Sequence, residues 1–312
     1  MRQRIVVLLL AAAFVAACLG GTGAAGPVQG AFGAEGTATA RAATKQRDSR
    51  WRKNPAGSAG VLEGKSVIIS IFINDKDSRW TNKAKREANR KLAAASKYIS
   101  GQAKKYGKKA EIVTDIYKNN RICYSYTTKM KLNDSAKKQD RLYENVEKFI
   151  DSRIDLTKIR QQYGTDSIGF LFHINKSGVS STLVHYIEEG EENFYECSTV
   201  FSQCGGKAEG ASTYAHEMLH LFGARDLYER SLPDGITASF VRHIEKKFPN
   251  DIMFSTYTKR GKQLKYSIKN EISRVTAYFL GWKNKIPEQK KYALPGVEQK
   301  GCFSDGTSWR GR

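Results

Sequence analysis

Residues 66–74 read SVIISIFIN. This run is of strand length and rich in β-branched residues, and it shows none of the regular polar alternation of a strand with one wet face. Such a run is covered on both sides. In a single sheet that cover comes from helices, so the run commits the chain to layers of helix and strand.

The rest of the chain follows that order. Residues 83–106 carry Leu92, Ala95, Ile99 and Ala103 on one helical face. Residues 141–163 carry Leu142, Val146, Phe149 and Ile150, then Ile154 and Ile159, and read as one amphipathic helix. AEIVTDIY (110–117), SIGFLFHIN (167–175), STLVHYI (181–187) and FYECSTVF (194–201) read as further strands. A helix is expected from Ala211, a short one before the turn at PNDIMF (249–254), and a final amphipathic one over 267–282. The order predicts one α/β (α+β) domain over residues 61–290, with a twisted, mixed sheet in its N-terminal half. Residues 34–60 read as a flexible linker and 291–312 as a C-terminal tail.

The N-terminus directs export. Arg2 and Arg4 precede an apolar run from Ile5 to Ala17, and small residues follow. That is the layout of a secretory signal, and the run is short for a bilayer span. Ala31-Phe32-Gly33 suits ordinary signal cleavage, giving a signal over 1–33, and the Gly26-Pro27 break just before it favours this exit. Val15-Ala16-Ala17-Cys18 resembles a lipobox, which ends the signal at 17 and leaves Cys18 lipidated. Either exit places the protein outside the cytoplasm, secreted or lipid-anchored at the cell surface. Without Cys18, Cys123, Cys197, Cys204 and Cys302 remain. Three disulfide connectivities are open, one of them a small Cys197–Cys204 loop with Cys123 joined to Cys302; four reduced thiols are the alternative.

Lys plus Arg number 52 against 31 Asp plus Glu, a net charge of +21. The lysines are scattered as pairs such as Lys104-Lys105 and Lys246-Lys247, without the concentrated basic element of a nucleic-acid binder. No nucleic-acid partner is expected. An anionic cell-envelope surface fits the charge better.

HEMLHLFGARD (216–226) carries the chemistry. On a helix, His216 and His220 lie one turn apart on the same face and can present two imidazoles to one point. Glu217, about 100° round from His216, can stand beside that point as a general base. Gly223 lets the helix stop and the chain double back, and Asp226 can then bring a carboxylate to the same place. Two imidazoles and a carboxylate, with one position left for water, make a catalytic Zn2+ site rather than a closed structural one.

The pattern His216-Glu217-x-x-His220-x-x-Gly223-x-x-Asp226 resembles the extended zinc motif of the metzincin metallopeptidases. Its aspartate is similar to the variant in snapalysin-type secreted bacterial proteases. NDIMFSTY (250–257) adds to the resemblance, since Met253 looks like the methionine of the Met-turn beneath the metal. Astacin- and serralysin-like members carry a tyrosine two residues after that methionine; here the nearest, Tyr257, is four after it. The resemblance implies a zinc endopeptidase with Glu217 as base, acting on peptide or protein substrates, and an edge strand that pairs with substrate, for which STLVHYI is the candidate.

Two rivals are carried. One is a gluzincin-type peptidase with Glu245 as third ligand. The other is a non-catalytic surface-binding protein on the same fold, which has no need of a base such as Glu217. His173 and His185 read as half-buried sheet residues with a hydrogen-bond partner, and His243 as solvated. The acidic run 188–192 reads as a soluble turn, and the protein as a monomer.

Overall fold

The computed structural model describes residues 59, 62–114, 122–183, 197–231 and 235–294. The signal region, Cys18, His185, the acidic run 188–192 and Cys302 lie outside the described residues, as do most of the linker and tail.

The apolar run 66–74 lies at the centre of the sheet. Strand β1 (Gly64–Asn74) is flanked on one side by β4 (Ile168–Ser177), in parallel register. Along its other edge lie β2 (Ala110–Val113) and then β3 (Cys123–Thr127), both parallel to it. Beyond β4 comes β6 (Cys197–Cys204), parallel, and beyond β6 the short antiparallel strands β5 (Ser181–Leu183) and β7 (Lys207–Ala208). The order β2-β1-β4-β6-β5 makes a mixed sheet in the N-terminal half, with β5 at its edge.

Alternation along β1 divides the core. Ile68 and Phe72 pack toward α1 (Asn82–Lys105) and α4 (Ala211–His220), whereas Val67, Ile69, Ile71 and Ile73 pack toward α2 (Ala136–Arg153) and α3 (Leu156–Tyr163). The expected cover on both faces is therefore present.

Two helical expectations are corrected. Residues 141–163 do not form one helix: Ile154 is extended, and the Asp155 carboxylate accepts the Lys158 N–H to start α3. Apolar spacing runs through this break because both helices bury the same side. Nor is 267–282 a helix throughout. Only Arg274–Phe279 (α6) is helical, and Pro287–Tyr292 (α7) follows it. The residues before α6 are drawn out by tertiary bonds. The Asn270 amide donates to the carbonyls of Ser255 and Tyr257, Glu271 bridges to Asp251, and the Asp251 carboxylate takes the Ser273 N–H. A tight Cys197–Cys204 loop is also excluded. Both residues lie on β6, where the seven-residue step spans about 23 Å at strand rise, far beyond disulfide reach.

Candidate metal centre

Helix α4 is buried along its whole length. Ala215, Met218 and Leu219 set it into the core, and burying large apolar side chains such as the last two is worth about 1.5–3 kcal/mol each. That anchorage fixes the direction in which His216, Glu217 and His220 point. The helix stops where Gly223 takes φ 97°, a backbone conformation side chains resist. The Gly223 N–H donates to the His220 carbonyl and the Ala224 N–H to that of Leu219. The chain then returns, and Asp226 comes back against the histidines.

His216 Nε2 and His220 Nε2 are 3.2 Å apart, and Asp226 Oδ1 stands 3.1 and 3.2 Å from them. All three residues are at most 4 % exposed. The other nitrogen of each ring is engaged: His216 Nδ1 is 2.9 Å from the Ile252 carbonyl and His220 Nδ1 is 2.8 Å from that of Ala224. A carbonyl only accepts, so each Nδ1 carries a proton and each ring turns its Nε2 inward. Asp226 Oδ1 is buried and makes no hydrogen bond of proper geometry, despite its closeness to both rings. Two ring nitrogens and a carboxylate oxygen thus converge on one point.

The electrostatics agree. Burial pulls the His220 pKa down, but the adjacent Asp226 carboxylate outweighs it and carries the value up to about 9. Burial likewise opposes ionisation of Asp226, and the two imidazoles overcome it and hold its pKa well below the usual range. The spot attracts positive charge. A tetrahedral zinc centre has ligand atoms about 3.3 Å apart for bonds near 2.0–2.1 Å, close to the separations found. His216, His220 and Asp226 therefore form a group able to hold a metal ion.

Glu217 is not in that group. Its Oε2 accepts from the Thr182 hydroxyl at 2.7 Å, and burial pushes its pKa up against the pull of His216 and His220. Glu245 is exposed on α5 (Ala238–Lys247) and stands outside the converging group. Met253 is fully buried in the core with Met218 and Leu219. Its segment braces both sides of the site: the Ile252 carbonyl faces His216, and the Met253 carbonyl accepts the Leu227 N–H at 3.0 Å. Asp251 holds that segment, accepting from the Met253 N–H and the Thr276 hydroxyl.

The small cavity at the group is also lined by Thr182 of β5 and by Tyr228. Tyr257 does not line it. The sequence reading missed both Thr182 and Tyr228. Tyr228 lies two residues past Asp226 and stacks on His216, with ring centroids 6.3 Å apart. The remaining histidines differ from expectation in degree. His173 is fully buried, beyond the half-burial expected, and its partner is Ser70. His243 is half-buried rather than solvated, 3.2 Å from Glu288 Oε1.

No protein-family profile matches the chain, and no curated protein matches it. Among solved structures it is similar to OgpA from Akkermansia muciniphila, with 12 % identity and a TM-score of 0.42, over 71 % of this chain and 61 % of that one. It is also similar to catalytically inactive OgpA in complex with an O-glycopeptide (glycodrosocin) substrate, with 10 % identity and a TM-score of 0.37. The chain spans about 61 % of the length of these proteins.

Proposed function

We propose that the protein is a zinc-dependent endopeptidase of metzincin type, exported from the cell by its N-terminal signal. The observation that carries the reading is the convergence of His216 Nε2, His220 Nε2 and Asp226 Oδ1 with Glu217 beside them and held out of the group. In this reading the three residues hold Zn2+ and Glu217 is the base. Asp226 as third ligand resembles the variant found in snapalysin-type proteases, and Met253 is the Met-turn residue.

Bound zinc supplies a Lewis acid that polarises the scissile carbonyl and acidifies a water. Glu217 accepts the proton of the attacking water and later gives it to the leaving amine, so the base ends each cycle as it began. The buried setting strengthens these interactions by excluding bulk water. In this reading strand β5 pairs with an extended peptide, and its position at the sheet edge beside the cavity supports this. The excess of basic residues favours retention at an anionic envelope. Among the described residues no helix is long and apolar enough to cross a membrane.

The test is zinc content and hydrolysis of unfolded casein on one purified sample, with and without chelator. One bound zinc and chelator-sensitive cleavage are expected. A protein that binds zinc, folds and cleaves nothing would favour the non-catalytic rival. An Asp226→Ala protein with full zinc and full activity would return Glu245 to consideration.

A further inference from the structure

Strand β5 does more than present an edge. Successive side chains on a strand point to opposite faces. Ser181 turns toward α2 and donates to Gln139 Oε1 at 2.8 Å. Thr182, the next residue, turns the other way and meets α4. Its hydroxyl lies 2.7 Å from Glu217 Oε2 and 2.7 Å from the hydroxyl of Ser198, its partner across the β5–β6 pair. Ser198 in turn donates to the Glu217 backbone carbonyl at 2.9 Å. Thr182 is 4 % exposed and Ser198 fully buried.

Resting on the peptidase reading above, we infer that Thr182 is a positioning residue for Glu217. The two hydroxyls carry two protons, and the geometry gives each an acceptor: Thr182 donates to Oε2 and Ser198 to the carbonyl. Oε2 is thereby occupied, and Oε1 becomes the oxygen that takes the water proton and returns it to the leaving amine. The arrangement needs no change between those two events, because the added proton sits on Oε1 while Thr182 stays on Oε2. A β-branched side chain suits this task, since its χ1 is stiff and its hydroxyl is aimed before Glu217 arrives. The same strand that offers its backbone to substrate therefore fixes the base.

Thr182→Val keeps the shape and removes the donor; Thr182→Ser keeps the donor. Each is compared with the wild type in the full-length protein, by zinc stoichiometry, by kcat and KM on a casein-derived peptide that the wild type cleaves, and by a crystal structure at Glu217. Thr182→Val should keep zinc and KM while kcat falls about 10- to 100-fold, the loss expected for one hydrogen bond to a charged group. Its Glu217 carboxylate should leave the wild-type rotamer or spread over several. Thr182→Ser should stay within about threefold of wild type in kcat and keep the rotamer. If Thr182→Val does not fold, Thr182→Ala is read in its place with the same expectations. An unchanged kcat in the folded, zinc-loaded variant, or a Glu217 side chain that keeps its position without the hydroxyl, overturns the inference. A wild type that cleaves nothing refutes the peptidase reading instead, and the crystallographic comparison still decides whether Thr182 positions Glu217.

Discussion

Two sets of buried histidine lie on the same face of the sheet and have opposite electrostatics. His173, on β4, is fully buried; its ring stacks on Phe72 with centroids 4.4 Å apart, and its Nε2 is 3.1 Å from the Ser70 hydroxyl. Burial, helped by the positive charge of Lys85, pushes its pKa down to about 3, so it is a neutral core residue. His220 is buried as deeply in the fold, yet its pKa is carried up to about 9. The difference is Asp226. Burial alone strips a histidine of its proton, whereas burial beside a carboxylate makes a place for positive charge. A buried histidine is thus no sign of a metal site by itself; at His216 and His220 the sign is that their ring nitrogens and the Asp226 carboxylate converge.

The largest expected effects follow from removing one side of that contrast. On the proposed reading, His216→Ala, His220→Ala and Asp226→Ala should each lose zinc and peptide hydrolysis together, because each removes one of the three proposed ligands. Glu217→Ala should keep its zinc and lose about 10²–10⁴-fold in kcat, the range for general acid–base catalysis. Metal analysis and turnover on the same preparations separate the two behaviours. Zinc lost on Glu217→Ala would erase the distinction between ligand and base.

The other side of the contrast predicts an effect on folding and none on chemistry. His173→Ala opens space beside Phe72 and removes the bond to Ser70, so stability should fall by about 2–4 kcal/mol in urea unfolding. Zinc stoichiometry should be unchanged, and kcat of the folded fraction should stay within about threefold. Loss of zinc from this variant would mean that the two histidine environments are coupled through Tyr214, whose ring centroid lies 6.0 Å from that of His173 and which stands two residues before His216.

What the sequence made legible follows the same divide. The 216, 220, 223, 226 spacing is local, and local geometry was enough to bring His216, His220 and Asp226 to one point, with Gly223 in the left-handed turn expected of it. The mixed sheet was legible because burial on both faces leaves a mark in β1 and β4; β3 and β7, which are largely exposed, left none and were not foreseen. Relations between distant segments were not. Thr182 reaches Glu217 only through the β5–β6 register, and no property of STLVHYI fixes that register. The start of α6 is decided by Asp251, which takes the Ser273 N–H across the fold. Hydrophobic periodicity cannot show such bonds, and it read the extended residues before α6 as a helical turn.

The smallest expected effect tests the comparison in solution through pH. His173 has a folded pKa of about 3 against an ordinary value of 6.5. Below pH 6.5 the unfolded chain takes up a proton that the folded chain refuses until about pH 3. Unfolding therefore binds a proton in that window, and stability falls as pH drops through it, by at most about 1.4 kcal/mol per pH unit. Above pH 6.5 the contribution is complete and constant. His173→Phe keeps the stacking partner and cannot titrate, so its stability between pH 6.5 and 4.5 should decline less steeply than wild type by about one proton's worth. Both proteins should carry Glu217→Ala to prevent self-digestion during urea titration. Zinc release in acid affects both backgrounds alike and drops out of the difference in slope. Parallel slopes would mean that His173 takes a proton inside the fold, and the opposition between the neutral histidine of the sheet and the cation-seeking pair on α4 would collapse.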